Sequence, residues 1–317
     1  VRVQNLQLGW QPAALLSTGL FTGALTGAAV GGRLPRQAGA ARLAERAAAY
    51  LHEAGLVAVL YALWQLACSV SVLGTAGAFD RARWIARFEH ATRLPSEYRA
   101  QRLVLGHPLL AQGANWYYAA VHFAALGLLL LWLFSRHRQR YPEVRNVLVL
   151  LTASSLLIQL LPVAPPRLLP GYVDTAAQYG QSVYNLSGLS VDQLGAMPSV
   201  HVGWALLVAW AVLRVSPSRY RWWVLAHPVL TVVVVVVTAN HFWLDGIVAA
   251  VLLALSVALV RLLPAPGAFR LARAVTGMDD GDAGRRRAGH GRQRLPHPVE
   301  ADHAGDQLVG SYGAGAD

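Results

Sequence analysis

Five stretches of the chain, 54–79, 113–135, 146–166, 197–213 and 222–240, contain no Asp, Glu, Lys or Arg. Uncharged apolar runs of about 18 residues or more are long enough to cross bilayer hydrocarbon as helices. Together with the apolar run behind Asp245 they predict six spans, at 54–74, 113–135, 146–163, 198–214, 222–240 and 243–261. A thinner stretch, Ala13–Val30, is built largely of Gly, Ala and Thr, with Arg33, Arg36, Arg42 and Arg46 behind it and only Arg2 before it. That charge order is the reverse of a secretory leader, so the stretch reads as a weak extra span or a cytoplasmic lead-in. The segment 75–112 is different in kind. Trp84, Phe88 and Ala91 fall at helical spacing with Arg81, Arg83 and Arg87 between them, the pattern of an amphipathic helix on a membrane surface. Beyond Pro264 the hydrophobicity ends, and Asp279–Asp317 is rich in Gly, Arg, Asp and His, as in a disordered tail. The expected organisation is therefore a lead-in over 1–53, an all-α polytopic membrane helix bundle with six core transmembrane helices over 54–263, and a cytoplasmic tail over 264–317.

Composition agrees. Charged residues make up 14% of the chain, against roughly a quarter in soluble domains, which excludes a soluble single-domain enzyme. The net charge of +11 comes from 27 basic residues, every one an Arg. Because most of them flank apolar runs or lie in the tail, they act as topology signals and not as a nucleic-acid surface. Arg136, Arg138, Arg140 and Arg145 follow the second span; Arg214, Arg219 and Arg221 follow the fourth; Arg261, Arg270 and Arg273 follow the sixth. Strict alternation places all of these on the cytoplasmic side, together with Arg33–Arg46. The six Arg of 75–112 then fall on the outer side, against the rule. The lone cysteine, Cys68, has no intrachain partner for a disulfide.

Polar groups at membrane depth are costly, and each is a candidate for function. Three clusters stand out: Ala164-Pro-Pro-Arg167-Leu, Met197-Pro-Ser199-Val-His201 and Asn240-His241-Phe-Trp-Leu-Asp245. Alternating spans bring all three to one outer membrane boundary. His241 and Asp245, four residues apart, share a helix face, so the carboxylate can fix the imidazole tautomer and leave the other ring nitrogen as a nucleophile. His201 is suited to protonating a leaving oxygen. Arg167 offers a planar fork of donors to phosphoryl oxygens. Pro198 suits the first turn of a helix whose N-terminus would present free N–H groups to an anion, with Ser199 as phosphate ligand or N-cap. His107, His122 and His227 read as structural or interfacial, and Trp116, Tyr117, Trp222, Trp223 and Trp243 as interface anchors.

These residues resemble the membrane branch of the type 2 phosphatidic acid phosphatase superfamily, in Pro-Ser-x-His followed by His-x-x-x-Asp with an upstream Arg. The fuller wording is similar to the inositolphosphotransferase-like subfamily related to fungal inositol phosphorylceramide synthase. That wording is Ala164-Pro-Pro-Arg167-Leu, Gly171-Tyr172-Val-Asp174-Thr, Ala196-Met-Pro-Ser199-Val-His201-Val-Gly-Trp-Ala and Asn240-His241-Phe-Trp-Leu-Asp245, across about 54–263. The resemblance implies a six-helix core and a triad of His201, His241 and Asp245. In it His241 is the nucleophile forming a phosphohistidine, His201 the acid, and Arg167 and Ser199 phosphate ligands. Tyr172, Asp174 and Asn240 would belong to a substrate loop. Two positions depart from the phosphatase pattern, Leu160 where a lysine is usual and Val235 where an arginine is usual. Their loss favours the transferase-like branch and leaves open what neutralises the remaining phosphate charge.

The expected protein is thus a plasma-membrane enzyme with its site on the extracytoplasmic face. It takes a membrane lipid as donor and a hydroxyl or water as acceptor, without cofactor, metal or nucleic acid. Two rivals are weighed against it. Two His and a carboxylate form a common zinc set, but an adjacent Arg suits a phosphate better than a cation. A non-enzymatic bis-histidine haem carrier would set its ligands at matched depth without an i+4 Asp.

Overall fold

A computed structural model describes residues 10–33, 39–69, 76–182 and 191–262; the tail expected over 264–317 lies outside them. The described residues are helical, with one isolated parallel bridge between Val163 and Gly195 and no strand. Helices α1 (Trp10–Arg33) and α2 (Gly39–Ser69) form an antiparallel hairpin. Small residues let their backbones approach, as in membrane helix pairs: a Cβ added at Gly27 would lie 3.3 Å from the Cβ of Ala48.

Helices α3 (Ala78–Ala91) and α4 (Glu97–Leu105) follow. Then comes a rod made of α5 (Pro108–Trp116), a π-helical turn (Tyr117–Val121) and α6 (His122–Arg136). Pro108 starts the rod where its missing N–H costs nothing. The bundle continues with α7 (Tyr141–Gln159), the single turn α8 (Thr175–Gln178), α9 (Val200–Val215), α10 (Ala226–Val237) and α11 (Trp243–Leu262). The principal core lies where Leu126, Leu129 and Leu133 of α6 and Val144, Val147 and Leu151 of α7 meet Leu207, Val208 and Ala211 of α9 and Leu253 of α11. One polar tie crosses it, from Trp204 Nε1 to Thr152 Oγ1 at 3.1 Å.

Among the described residues, four helical segments are long and apolar enough to cross a membrane: Trp10–Arg33, Pro108–Arg136, Arg219–Val237 and Trp243–Leu262. The stretch expected as a weak extra span is thus one of the four. Of the six expected core spans, 113–135, 222–240 and 243–261 fall on the other three, while 146–163 and 198–214 fall on α7 and α9; 54–74 falls on α2 up to Ser69, and 70–74 lie outside the described residues. The expected count of six is not reached by this measure. Helix α9 has 16 residues and rises about 24 Å, short of the roughly 30 Å of hydrocarbon.

The Arg-rich segment 75–112 packs onto the same end of the bundle as the polar clusters. Ala164 donates its N–H to Ala78 O, Arg81 Nε donates to Pro162 O at 2.7 Å, and Trp243 Nε1 donates to Pro95 O at 2.7 Å. The buried face of α3 is Ala78, Ala82, Ile85 and Glu89, set against Val163, Ala164, Leu194, Ala196 and Phe242. Trp84 and Phe88, the expected membrane-facing stripe, point outward and stack on each other at 5.6 Å.

Candidate active site

The site grows from three chain breaks at one end of the bundle. Helix α9 begins there because Ser199 caps it: Ser199 Oγ accepts the N–H of Val202 at 3.4 Å, and the residue is fully buried. Pro198 therefore precedes the cap and does not occupy the first helical turn. Helix α10 ends there in a tight turn whose Ala239 adopts a left-handed φ of 52°. After that turn Asn240 N and His241 N both donate to Val235 O, and α11 starts two residues later. The loop after α7 supplies the third element, a 3-10 turn at Pro166–Leu168 whose Arg167 N donates to Ala239 O at 2.8 Å.

These turns bring together most of the residues singled out in the sequence. His241 Nδ1 lies 2.7 Å from Ala196 O and 3.3 Å from Asp245 Oδ2. A carbonyl oxygen only accepts, so Nδ1 carries the proton and Nε2 presents its lone pair. Nε2 is buried and has no hydrogen-bond partner among the described residues. Asp245, fully buried, also accepts the N–H of Phe242 at 2.9 Å, and Ser199 N donates to Asp245 O at 3.1 Å, tying α9 to α11. The ring of His201, on the first turn of α9, lies 5.6 Å from that of His241.

Arg167 is buried and oriented from two sides. Its Nη1 donates to Asn240 Oδ1 at 2.6 Å, and its Nε pairs with Asp174 Oδ2 at 3.3 Å. Asp174 also caps α8 through Ala177 N, and Asn240 donates to Thr238 Oγ1. Arg167, Asp174 and Asn240 line a narrow cleft of about 10 Å³ with Asn115, Tyr118 and Gln181. Tyr172 is not among its lining residues. It stands behind the loop, edge-on to Tyr98 at 5.8 Å, with its phenol pushed up to about 12 by burial and by Glu97 and Glu89 nearby.

The sequence reading missed several neighbours. Tyr118 stacks on His201 at 4.1 Å, and His122, read as structural, meets the same ring at 4.2 Å. Asn115 holds Gln181 Oε1 and accepts from Thr175. Asn115, Tyr118 and His122 recur at helical spacing in an otherwise apolar stretch, and that stripe was the available signal. The Ala196 carbonyl left no signal at all, because any residue carries one. Val235, at a position where the phosphatase pattern has an arginine, is buried and serves the site only through its carbonyl. Among the described residues no group of three or more His, Cys, Asp or Glu is arranged to hold a metal ion.

Neither a curated protein nor a solved structure matches the chain. A family model does: the PAP2 superfamily, over residues 83–259. The matched stretch runs from α3 through nearly all of α11 and contains every residue of the cluster just described. Its helices include three of the four long apolar segments, which makes this a membrane protein, and the chain belongs to the PAP2 superfamily, whose members' activity is lipid phosphatase or phosphotransferase chemistry.

Proposed function

We propose that the protein is a membrane phosphotransferase that moves a phosphoryl or phospho-alcohol group from a lipid donor to a hydroxyl acceptor through His241. The observation that carries this reading is the state of the His241 ring. Its Nδ1 is bound to an oxygen that only accepts, its Nε2 is unengaged, and a second imidazole lies 5.6 Å away.

In the first step Nε2 of His241 attacks phosphorus, a P–N bond forms and the P–O bond to the lipid alcohol breaks. His201 gives its proton to the departing oxygen. Asp245 and the Ala196 carbonyl stabilise the positive charge that grows on the ring. In the second step the acceptor hydroxyl loses its proton to His201 and attacks phosphorus, and the P–N bond breaks. Arg167, preset by Asp174 and Asn240, holds the phosphoryl oxygens in both steps. Ser199, buried as an N-cap, shapes the α9 terminus, whose dipole favours an anion.

The acceptor is a hydroxyl compound, and the subfamily wording favours inositol or a like alcohol; water in its place would make the enzyme a lipid phosphatase using the same residues. Charge supports a site on the extracytoplasmic face of the plasma membrane: Arg136–Arg145, Arg214–Arg221 and Arg261 sit at the helix ends opposite the site.

The test is turnover of short-chain lipid phosphates by solubilised wild type and His241→Ala, with and without inositol and with EDTA throughout. Products are followed by mass spectrometry. A new acceptor-linked product, lost in the variant, supports the transferase. Release of free phosphate alone, lost in the variant, makes the enzyme a phosphatase. Undiminished turnover in a folded His241→Ala protein would remove His241 from the mechanism, and dependence on a metal would remove the metal-free scheme.

A further inference from the structure

Two carboxyl groups outside the proposed chemistry are buried behind it. Glu89, on the inner face of α3, is 3% exposed, and Glu97, the first residue of α4, is 6% exposed. Glu89 Oε1 accepts the N–H of Leu244 at 2.7 Å. That N–H belongs to the first turn of α11, where helical amides have no partner within their own helix. Asp245 Oδ2 caps Phe242 N in the same turn, so the chain that carries His241 into α11 is pinned at two amides by two carboxyls. One is its own and the other comes from a separate helix.

The other oxygens of the pair show how it is held. Glu89 Oε2 and Glu97 Oε1 are buried, and neither has a donor among the described residues. Glu97 lies beside Glu89, within reach of a shared proton. Two ionised carboxylates have none to share, because both only accept. A proton on the buried, unpartnered Glu89 Oε2 lets Glu89 donate to Glu97 while Oε1 accepts from Leu244. The groups facing Glu89 agree. Glu97 of α4 and Asp245 of α11 are acidic, and the Tyr172 phenol stands nearby on the loop after α7. Burial, with Glu97 beside it, pushes the Glu89 carboxyl up to about 9 from an ordinary 4.5. The proton is bound more tightly in the folded state, so the stability it contributes is complete below about pH 4.5 and is lost progressively up to about pH 9.

We infer that Glu89 is a positioning residue for His241, held protonated by sharing its proton with Glu97, and that losing this proton sets the alkaline limit of turnover. When Glu89 ionises, three acidic side chains from α3, α4 and α11 face one another behind the first turn of α11, and the turn that aims His241 loosens. The inference rests on the reading of His241 as nucleophile, but its test has a part that does not. The chain contains six glutamates, so 13Cδ-glutamate labelling gives few carboxyl signals, and Glu89→Gln and Glu97→Gln assign the pair. In a protein labelled with 13C-carbonyl Trp and 15N-Leu only two amides, Leu133 and Leu244, follow a Trp, and Leu133 serves as reference.

The expected result is a Glu89 carboxyl still protonated at pH 7 that ionises in the alkaline range, in step with a shift of the Leu244 amide and none of Leu133. Glu97→Gln should move that titration to lower pH. For turnover the probe is dioctanoyl phosphatidic acid. Glu89→Gln keeps both the acceptor for Leu244 and a donor for Glu97, so it should retain kcat and lose the alkaline fall. Glu89→Ala should lower kcat about 10- to 100-fold at all pH, with KM little changed. An ionised Glu89 at pH 7, or a Leu244 amide indifferent to its titration, overturns the inference whether or not the probe turns over. If the probe turns over, an alkaline fall that survives in Glu89→Gln also overturns it. A silent probe with the expected spectra counts against the proposed substrate class alone and leaves the positioning role supported.

Discussion

Asp245 shares its task with a backbone carbonyl, and that division sets how much its charge is worth. Were Asp245 the sole partner of His241 Nδ1, an amide in its place could reverse the tautomer and remove the nucleophile. Here Ala196 O lies nearer, at 2.7 Å against 3.3 Å, and holds the same tautomer. Asp245→Asn should therefore keep Nε2 as the lone-pair nitrogen and lose only the charge that stabilises the ring once phosphorus is attached. The expected cost is about 10- to 100-fold in kcat with KM little changed, read from turnover at saturating lipid. A loss as large as that of His241→Ala would mean that the carbonyl contributes nothing. The residues of the cluster were legible in the sequence because polar groups are rare at membrane depth and their spacings matched one helix turn. The roles of their partners were not. The Ala196 carbonyl has no residue signature, and Ser199 reads equally well as anion ligand and as N-cap until its burial is seen.

At the scale of elements, the π-helical turn Tyr117–Val121 decides what reaches His201. It interrupts the rod from Pro108 to Arg136 where that rod passes the site, and the two residues that touch the His201 ring, Tyr118 and His122, lie within it and just after it. A π turn holds one residue more than an α turn, and removing that residue rotates one flank against the other by about 100°. Deleting Ala120 should restore α-helical register, keep the apolar rod able to span, and turn either Asn115 and Tyr118 or His122 away from α9. Turnover should fall at least about 100-fold while the purified protein keeps its helical circular dichroism and elutes as wild type. Unchanged turnover would show that the stack against His201 is only packing. Hydropathy cannot see such a turn, since every residue in it is compatible with a plain helix. A lone His near a membrane helix end reads as structural or interfacial, and that is how His122 reads until the turn is seen.

The whole molecule reads as a membrane bundle from charge-free stretches alone, and the helices, their order and the meeting of the three polar clusters at one end follow that reading. The number of spans does not. Helix α9 is cut short by its cap at the site, and α2 carries Arg and Glu over its first turns, so length and apolarity single out four segments where alternation needed six. Of the six Arg that broke the charge rule, five lie on α3 and α4 and Arg93 on the turn between them, and these two helices pack against the loops bearing Arg167 and His241. They are therefore part of the site's end of the molecule and not a span boundary. Orientation then rests on which end faces out, and one chemical test decides it. With Cys68→Ser removing the native thiol, Gly106→Cys places a thiol in the exposed turn between α4 and α5, where nothing crowds a new side chain. Arg138→Cys places one in the Arg-rich turn at the far end. A membrane-impermeant maleimide should label position 106 in intact cells and position 138 only after lysis. The opposite pattern would put the histidines on the cytoplasmic side and the acceptor in the cytoplasm. Labelling of both in intact cells would mean that the segments between them cross the membrane an even number of times, which the single rod from Pro108 to Arg136 does not allow.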